Sequence, residues 1–117
     1  SVAASTNWDE LASFSNYGAT SVDLAAPGQA ILSTIPGNAY ALANGTPMAT
    51  PHVSGAAMLA LSICQLSTPQ LRYLLLHSIY PQPTYSGVTS SGGRLYLSTT
   101  LNNCPYPKVL SASLSSM

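Results

Sequence analysis

The sequence predicts an α/β fold in which several short strands precede two helices. Two features predict it. In the first 45 residues, short apolar runs are separated by turn-forming pairs such as Pro27-Gly28 and Pro36-Gly37. From residue 47 onward, apolar residues instead recur at helical spacing. With 117 residues, the chain has room for one domain or for part of one.

Composition excludes several classes of protein. Hydrophobic residues make up 46% of the chain, which is too much for a disordered segment. Only 5% are charged, and three basic residues balance three acidic ones. Because no basic patch can neutralise phosphates or anionic lipids, we expect neither a nucleic-acid partner nor a membrane partner. The longest apolar stretch, residues 53–64, is also shorter than the roughly 18 residues that a membrane-spanning helix needs.

Three strands are predicted before the first helix. Residues 2–4 form a short apolar run, and residues 21–26 alternate apolar and polar side chains until Pro27-Gly28 ends the strand. Residues 30–35 form the third strand. The pair Asn44-Gly45 then marks a turn ahead of the helix.

The first helix is predicted over residues 47–64. It has no charged residue, which is typical of a helix buried on most of its sides. Pro51 lies inside it and removes one backbone donor, so we expect its first turns to be kinked or irregular. The apolar positions at helical spacing are Val53, Ala56, Ala57, Ala60, Leu61 and Cys64.

A second, amphipathic helix follows. Ser67 and Gln70 have the spacing of a capping box at its start, and its end is expected near Ser78. Residues 81–93 are rich in turn formers and predict a loop, after which the alternation at residues 94–97 predicts a last short strand. The buried stripe of the helix is predicted to be Leu71, Leu74 and Leu75.

The start of the first helix carries a family resemblance. From Asn44 the chain runs NGTPMATPHVSGAA, which resembles the nucleophile segment of the subtilisin-like serine proteases, G-T-S-M-A-[ST]-P-H-V-[AS]-G. Of the eleven positions from Gly45 onward, ten agree. Flanking segments resemble the family in the same order: LASFSNYG at 11–18, VDLAAPG at 22–28, ILST at 31–34 and SGGRLYL at 91–97.

The resemblance implies a fold and a reaction. Residues 1–101 would be the C-terminal part of a subtilisin-like peptidase domain, a three-layer fold with a mainly parallel sheet and a buried nucleophile helix. Residues 102–117 would be a tail that is poorly ordered. Such a domain hydrolyses peptide bonds through an acyl-enzyme and is expected to need no cofactor. Calcium is common in the family, but three side-chain carboxylates and no acidic loop predict no metal site here.

The resemblance also implies partners. The family's catalytic residues follow in the order Asp, His, Ser. The chain is therefore expected to begin after the segments that carry the Asp, the base His and the Asn of the oxyanion hole. The expected partners are the missing N-terminal half of the domain, or a second copy through self-association, and a peptide substrate in the complete parent. Secretion is expected, as for most of the family.

Pro47 stands where the family has its nucleophilic serine. Attack on a peptide carbonyl needs an activated hydroxyl, which proline lacks. In this family the backbone N–H of the nucleophile also helps to hold the oxyanion, and proline lacks that donor too. We therefore expect this chain to be inactive as a protease. The helix start should tolerate the change, with Thr46 as N-cap and Pro47 as the first helical residue.

The remaining residues of the motif are expected to have structural or substrate-binding roles rather than catalytic ones. The resemblance assigns Asn44, Gly45, Thr46 and Met48 to the turn and the substrate cleft. It assigns Thr50, Pro51, His52 and Gly55 to the structural part of the motif. As alternatives, His52 would be a base, Thr46 or Thr50 a substitute nucleophile, and Asn44 an N-glycosylation acceptor.

Cys64 and Cys104 leave two interpretations open. They form a disulfide if the protein is extracellular, as most of the family is. Otherwise Cys64 is a buried free thiol and Cys104 a mobile one. The function has a second interpretation as well, a pseudo-protease that binds peptides without cleaving them, and a third, a truncated product without a role.

Overall fold

The computed structural model describes residues 1–108, and residues 109–117 lie outside the description. No described helix is long and apolar enough to cross a membrane. The strands are β1 (Val2–Ser5), β2 (Leu24–Pro27), β3 (Ile31–Ile35), β4 (Ala39–Ala43), β5 (Tyr80–Pro81) and β6 (Gly93–Arg94). The helices are α1 (Thr46–Ile63), α2 (Thr68–His77) and α3 (Leu97–Asn102), with a 3-10 turn at Pro83–Tyr85.

The main sheet has the strand order β1-β2-β6-β5. The pairs β1/β2 and β2/β6 are parallel, and only β5 runs antiparallel to β6. β3 and β4 form a separate antiparallel hairpin. The predicted α/β fold with a mainly parallel sheet is therefore confirmed.

Small residues bring α1 close to the sheet. Ala4 and Ala26 on neighbouring strands and Ala49 on α1 are fully buried in one cluster. A second cluster on the sheet contains Ala3, Ala25 and the fully buried ring of Tyr85. Burial raises the pKa of the Tyr85 phenol. Because alanine side chains are short, helix and strand backbones approach closely where the first turns of α1 begin.

The predicted α1 is confirmed, but the expected irregularity at Pro51 is not found, because the helix runs through Pro51 without a break. Its burial is one-sided in these residues. Ala49, Ala56 and Ala60 are buried, whereas Met58 is 75% exposed. Leu59, Leu61 and Ile63 are also exposed. One apolar face of α1 is thus covered by the sheet, and the other faces solvent.

The capping box of α2 is confirmed. The Gln70 amide donates to the Ser67 hydroxyl, and the Ser67 amide donates to Oε1 of Gln70 at 2.8 Å. Ser78 is the C-cap, as expected.

Two strand predictions differ from the structure. The sequence does not predict β4, because its alternating alanines give a weak strand signal; it forms because Gly37 and Asn38, both with positive φ, close a turn from β3. The strand predicted over residues 94–97 is instead β6, and Leu97 already begins α3. The Leu95 amide still donates to the Ala25 carbonyl at 2.7 Å.

The segment after α3 is held against the end of α1. Cys104 and Cys64 form a disulfide with a Cα–Cα distance of 5.9 Å. The Gln65 amide donates to the Tyr106 carbonyl at 2.8 Å, and the Lys108 amide donates to the Ile63 carbonyl at 2.9 Å. We call residues 104–108 the strap. The rest of the predicted tail, residues 109–117, lies outside the described residues.

Candidate functional site

The turn before α1 is fixed by close contacts with the strands. The Gly45 amide donates to the Gly28 carbonyl at 2.8 Å, and the Ala30 amide donates to Oδ1 of Asn44 at 2.6 Å. Gly28 itself lies so close to β1 that a Cβ there would be 2.5 Å from the Cβ of Ala4. The sequence marks Gly28 as part of the turn that ends β2, but it does not predict this close approach to β1.

Gly45 is the N-cap of α1, so the expectation that Thr46 caps the helix is wrong. Gly45 has φ 141° and ψ 163°, a conformation that residues with a Cβ rarely adopt. Its carbonyl accepts from the Met48 amide at 3.0 Å and closes the first turn. The helix therefore starts one residue earlier than predicted.

Pro47 is exposed in the first turn of α1. The first four N–H groups of a helix have no intrahelical partner, so the missing donor of Pro47 disturbs no helical bond. Pro51 also has no N–H, so the Pro47 carbonyl does not accept the hydrogen bond that residue 51 of a helix normally donates to it. The helix nevertheless forms with proline at both positions.

The imidazole of His52 is engaged with its own helix. Nδ1 lies 2.9 Å from the Met48 carbonyl, so it donates and carries the proton in the neutral ring. At about 100° per residue, His52 is roughly 140° around the helix from Pro47. His52 is thus not placed as a base for a group at position 47.

Neither threonine of the motif has a base. The Thr50 hydroxyl donates to the Thr46 carbonyl at 3.1 Å. Across residues 1–108, no Ser or Thr hydroxyl donates to a His ring or a carboxylate side chain. The structure offers no nucleophile and base pair in the described part of the chain.

A shallow uncharged groove of about 270 Å³ is lined in part by Met48, the residue that follows Pro47. It lies between β3 and the first turns of α1. No Asp, Glu, Lys or Arg occurs between Asp23 and Arg72, so the elements that form the groove carry no charged side chain. Its lining residues are Ile31, Leu32, Ser33, Met48, Pro51 and His52.

Asp9, Asp23, Arg72 and Arg94 form ion pairs away from the groove. The Arg72 guanidinium lies 2.8 Å from the Asp23 carboxylate. Asp9 pairs with Arg94. Within residues 1–108, no cluster of three or more His, Cys, Asp or Glu residues could hold a metal ion.

Comparison with known protein families agrees with this geometry. The model of the subtilase family, Peptidase_S8, matches residues 1–103. A thermophilic serine proteinase of Bacillus sp. (strain AK1) is 59% identical over 61 residues, which are 52% of this chain and 15% of the relative. Subtilisin-like protease 12 of Arthroderma gypseum is 42% identical over 95 residues, 81% of this chain and 24% of the relative.

Solved structures show the same likeness. The self-cleaved protease domain of PatA superposes with a TM-score of 0.69 and 34% identity, covering 86% of this chain and 39% of that one. The maturation protease PagA gives a TM-score of 0.69 at 29% identity, with coverages of 88% and 41%. The chain thus spans less than half of each structure and at most a quarter of these two curated relatives.

Proposed function

Because the chain belongs to the subtilase family, we propose that it is the part of a serine endopeptidase domain that carries the nucleophile segment, and that Pro47 leaves it without activity. The parent reaction is peptide-bond hydrolysis through an acyl-enzyme. The chain retains the scaffold of that segment and lacks its chemistry.

The observation that carries the proposal is Pro47 itself. It occupies the first turn of an intact α1, exposed to solvent, where the family has serine. Losing the serine removes the attacking atom, and losing the N–H removes a donor to the developing oxyanion. In subtilisin, loss of the serine alone costs about a millionfold in turnover.

Two surfaces support a partner that completes the domain. Met58 and its apolar neighbours on α1 are exposed, and a Cβ at Gly55 would meet nothing within 4 Å. β1 is also the terminal strand of the sheet. A second half that covers this helix face and extends the sheet would carry the Asp, the base His and the oxyanion Asn, either on the same polypeptide or on a separate one. The disulfide supports an extracellular location.

The alternative is a pseudo-protease that binds peptides in the cleft. It is supported by the open groove between β3 and the first turns of α1, which includes Met48 next to Pro47. Intact D-[ST]-G, H-G-T and oxyanion segments in the adjoining coding sequence would favour the enzyme, and their loss would favour the binding module.

The test is a comparison of Pro47 with Pro47→Ser, each with and without the N-terminal half of the domain. Labelling by a fluorophosphonate probe reports an activated serine. We expect labelling only when Pro47→Ser and the N-terminal half are present together. Serine is tolerated in the first turn of a helix, so circular dichroism should show an unchanged fold.

Two results would contradict the proposal. Labelling of the Pro47 chain would reveal a nucleophile other than residue 47. Labelling of the Pro47→Ser chain alone would reveal a base within it, for which His52→Ala is the control. If the completed Pro47→Ser domain stays unlabelled, the binding module is favoured instead.

A further inference from the structure

A second cavity lies between α2 and the strap. Its volume is about 450 Å³, which is in the range of small-molecule sites. α2 and Ser78 form one wall, and Asn103, which follows α3, forms the other together with Pro105 and Tyr106 of the strap. It shares no lining residue with the groove between β3 and α1, so it is independent of the function proposed above.

Aromatic rings form both walls. On α2, the rings of Tyr73 and His77 are stacked, with centroids 3.8 Å apart and an interplanar angle of 16°. On the strap, Tyr106 lines the facing wall beside Pro105. Tyr73 is 64% exposed and Tyr106 is 56% exposed, so ring surface on both walls is open to a ligand. Such rings favour a ligand with flat apolar faces.

The polar side chains of the cavity carry no fixed charge, and several have hydrogen-bond donors or acceptors that remain available to a ligand. Gln70 uses Oε1 in the capping box, which leaves both protons of its amide nitrogen. Asn103 donates to the Ser78 hydroxyl at 3.2 Å, which leaves its carbonyl oxygen as an acceptor. His77 donates from Nδ1 to the Tyr73 carbonyl at 2.8 Å, so Nε2 of the neutral ring can accept.

From these features we propose that the cavity is a carbohydrate-binding site. A sugar ring presents apolar C–H faces to aromatic rings and hydroxyl groups at its edge to neutral amides, hydroxyls and imidazole. No Asp, Glu, Lys or Arg lines the cavity, so it has no fixed charge with which to recognise an anionic or cationic ligand. The disulfide positions the ligand-binding wall, because Cys104 ties the strap to the end of α1 next to Pro105.

The test uses the oxidised 117-residue chain and four neutral disaccharides: cellobiose, chitobiose, maltose and mannobiose. We expect millimolar or tighter binding to at least one, with NMR shifts at Tyr73, His77 and Tyr106. Tyr106→Ala should weaken binding by about tenfold, because it removes a stacking face. Tyr106→Phe keeps that face and should stay within about twofold. Sedimentation with insoluble cellulose or chitin then distinguishes a polymer from a free sugar.

The matched control is Tyr17→Ala, which removes a ring that is 70% exposed and lies outside the cavity. It should leave affinity unchanged. The proposal is overturned if none of the sugars binds, if binding survives both Tyr73→Ala and Tyr106→Ala in folded protein, or if a polyproline peptide binds in their place. Polyproline also docks on aromatic-lined grooves, so it serves as the competing ligand class.

Discussion

Gly45 and Gly55, on either side of Pro47, differ in what a methyl group would meet. Gly45 has φ 141°, and its Cβ would lie 3.1 Å from Cδ of Pro47. Gly55 sits in the helix interior, and its Cβ would meet nothing. Gly45→Ala should therefore lower the free energy of unfolding by about 1 kcal/mol or more. Gly55→Ala should raise it by about 0.5 to 1 kcal/mol, since alanine favours the helix.

Urea denaturation of the two variants and of the original chain measures both changes in the free energy of unfolding, which should have opposite signs. A stable Gly45→Ala variant would mean that the turn before α1 has another conformation. The N-terminal half adds a second measurement: if it covers this helix face, Gly55→Ala should weaken its association with the chain.

The residue scale is also where the sequence is most informative about the site. The motif identifies position 47, and Pro47 lies in the first turn of α1, as the spacing requires. Side-chain preference assigns the N-cap to Thr46, because threonine is a common cap and glycine has no capping side chain. In the structure Gly45 is the cap instead, because its positive φ suits glycine. A pattern of hydrophobic residues does not predict backbone geometry of this kind.

At the scale of the elements, the disulfide between α1 and the strap is directly testable. Cys64 and Cys104 are 40 positions apart, and closing a loop of that length stabilises a protein by about 3 to 4 kcal/mol in the chain-entropy treatment. Alkylation without reductant should leave the intact mass unchanged, and alkylation after reduction should modify two cysteines. Reduction should also lower the melting temperature.

Two alkylated cysteines in the unreduced chain would exclude the bridge. A Cys64→Ser and Cys104→Ser double variant is the matched control, because its melting temperature should not respond to reductant. If it does respond, the effect of reductant is unrelated to the bridge.

Elements with strong local sequence signals are predictable, and elements that form only beside a neighbouring element of the same chain are not. α1 and α2 have helical spacing and, in α2, a capping box, and both form where expected. β4 forms only because β3 lies beside it, and its alanines alone do not favour a strand. The cavity between α2 and the strap is not predictable either, because the sequence leaves the disulfide open.

At the scale of the whole molecule, large apolar side chains are exposed, and only 5% of the residues are charged. Leu32, Tyr40 and Leu42 on the hairpin are each about two-thirds exposed, in addition to Met58 on α1. The chain has no net charge to oppose contact between copies. Exposed apolar surface of this kind favours association unless a partner covers it.

We therefore expect the isolated chain to self-associate at micromolar concentration and to unfold over a broad temperature range. Met58→Lys should shift it toward monomer in sedimentation experiments, because the lysine places a charge on the 75% exposed position of the α1 face. Tyr17→Lys is the matched control, since it adds the same charge at another exposed ring. A monomer with one cooperative transition at low concentration, before any substitution, would contradict the expectation.

Met58→Lys also separates the two partners that could cover this face. If the N-terminal half covers it, the buried lysine would be unpaired, and the variant should fail to form the completed domain. The variant would then self-associate less and would also bind the N-terminal half less well. Fluorophosphonate labelling of the Met58→Lys, Pro47→Ser double variant should therefore be lost. If labelling persists while self-association falls, the face is a contact between copies of this chain, and the N-terminal half attaches elsewhere, with the edge of β1 as the remaining candidate.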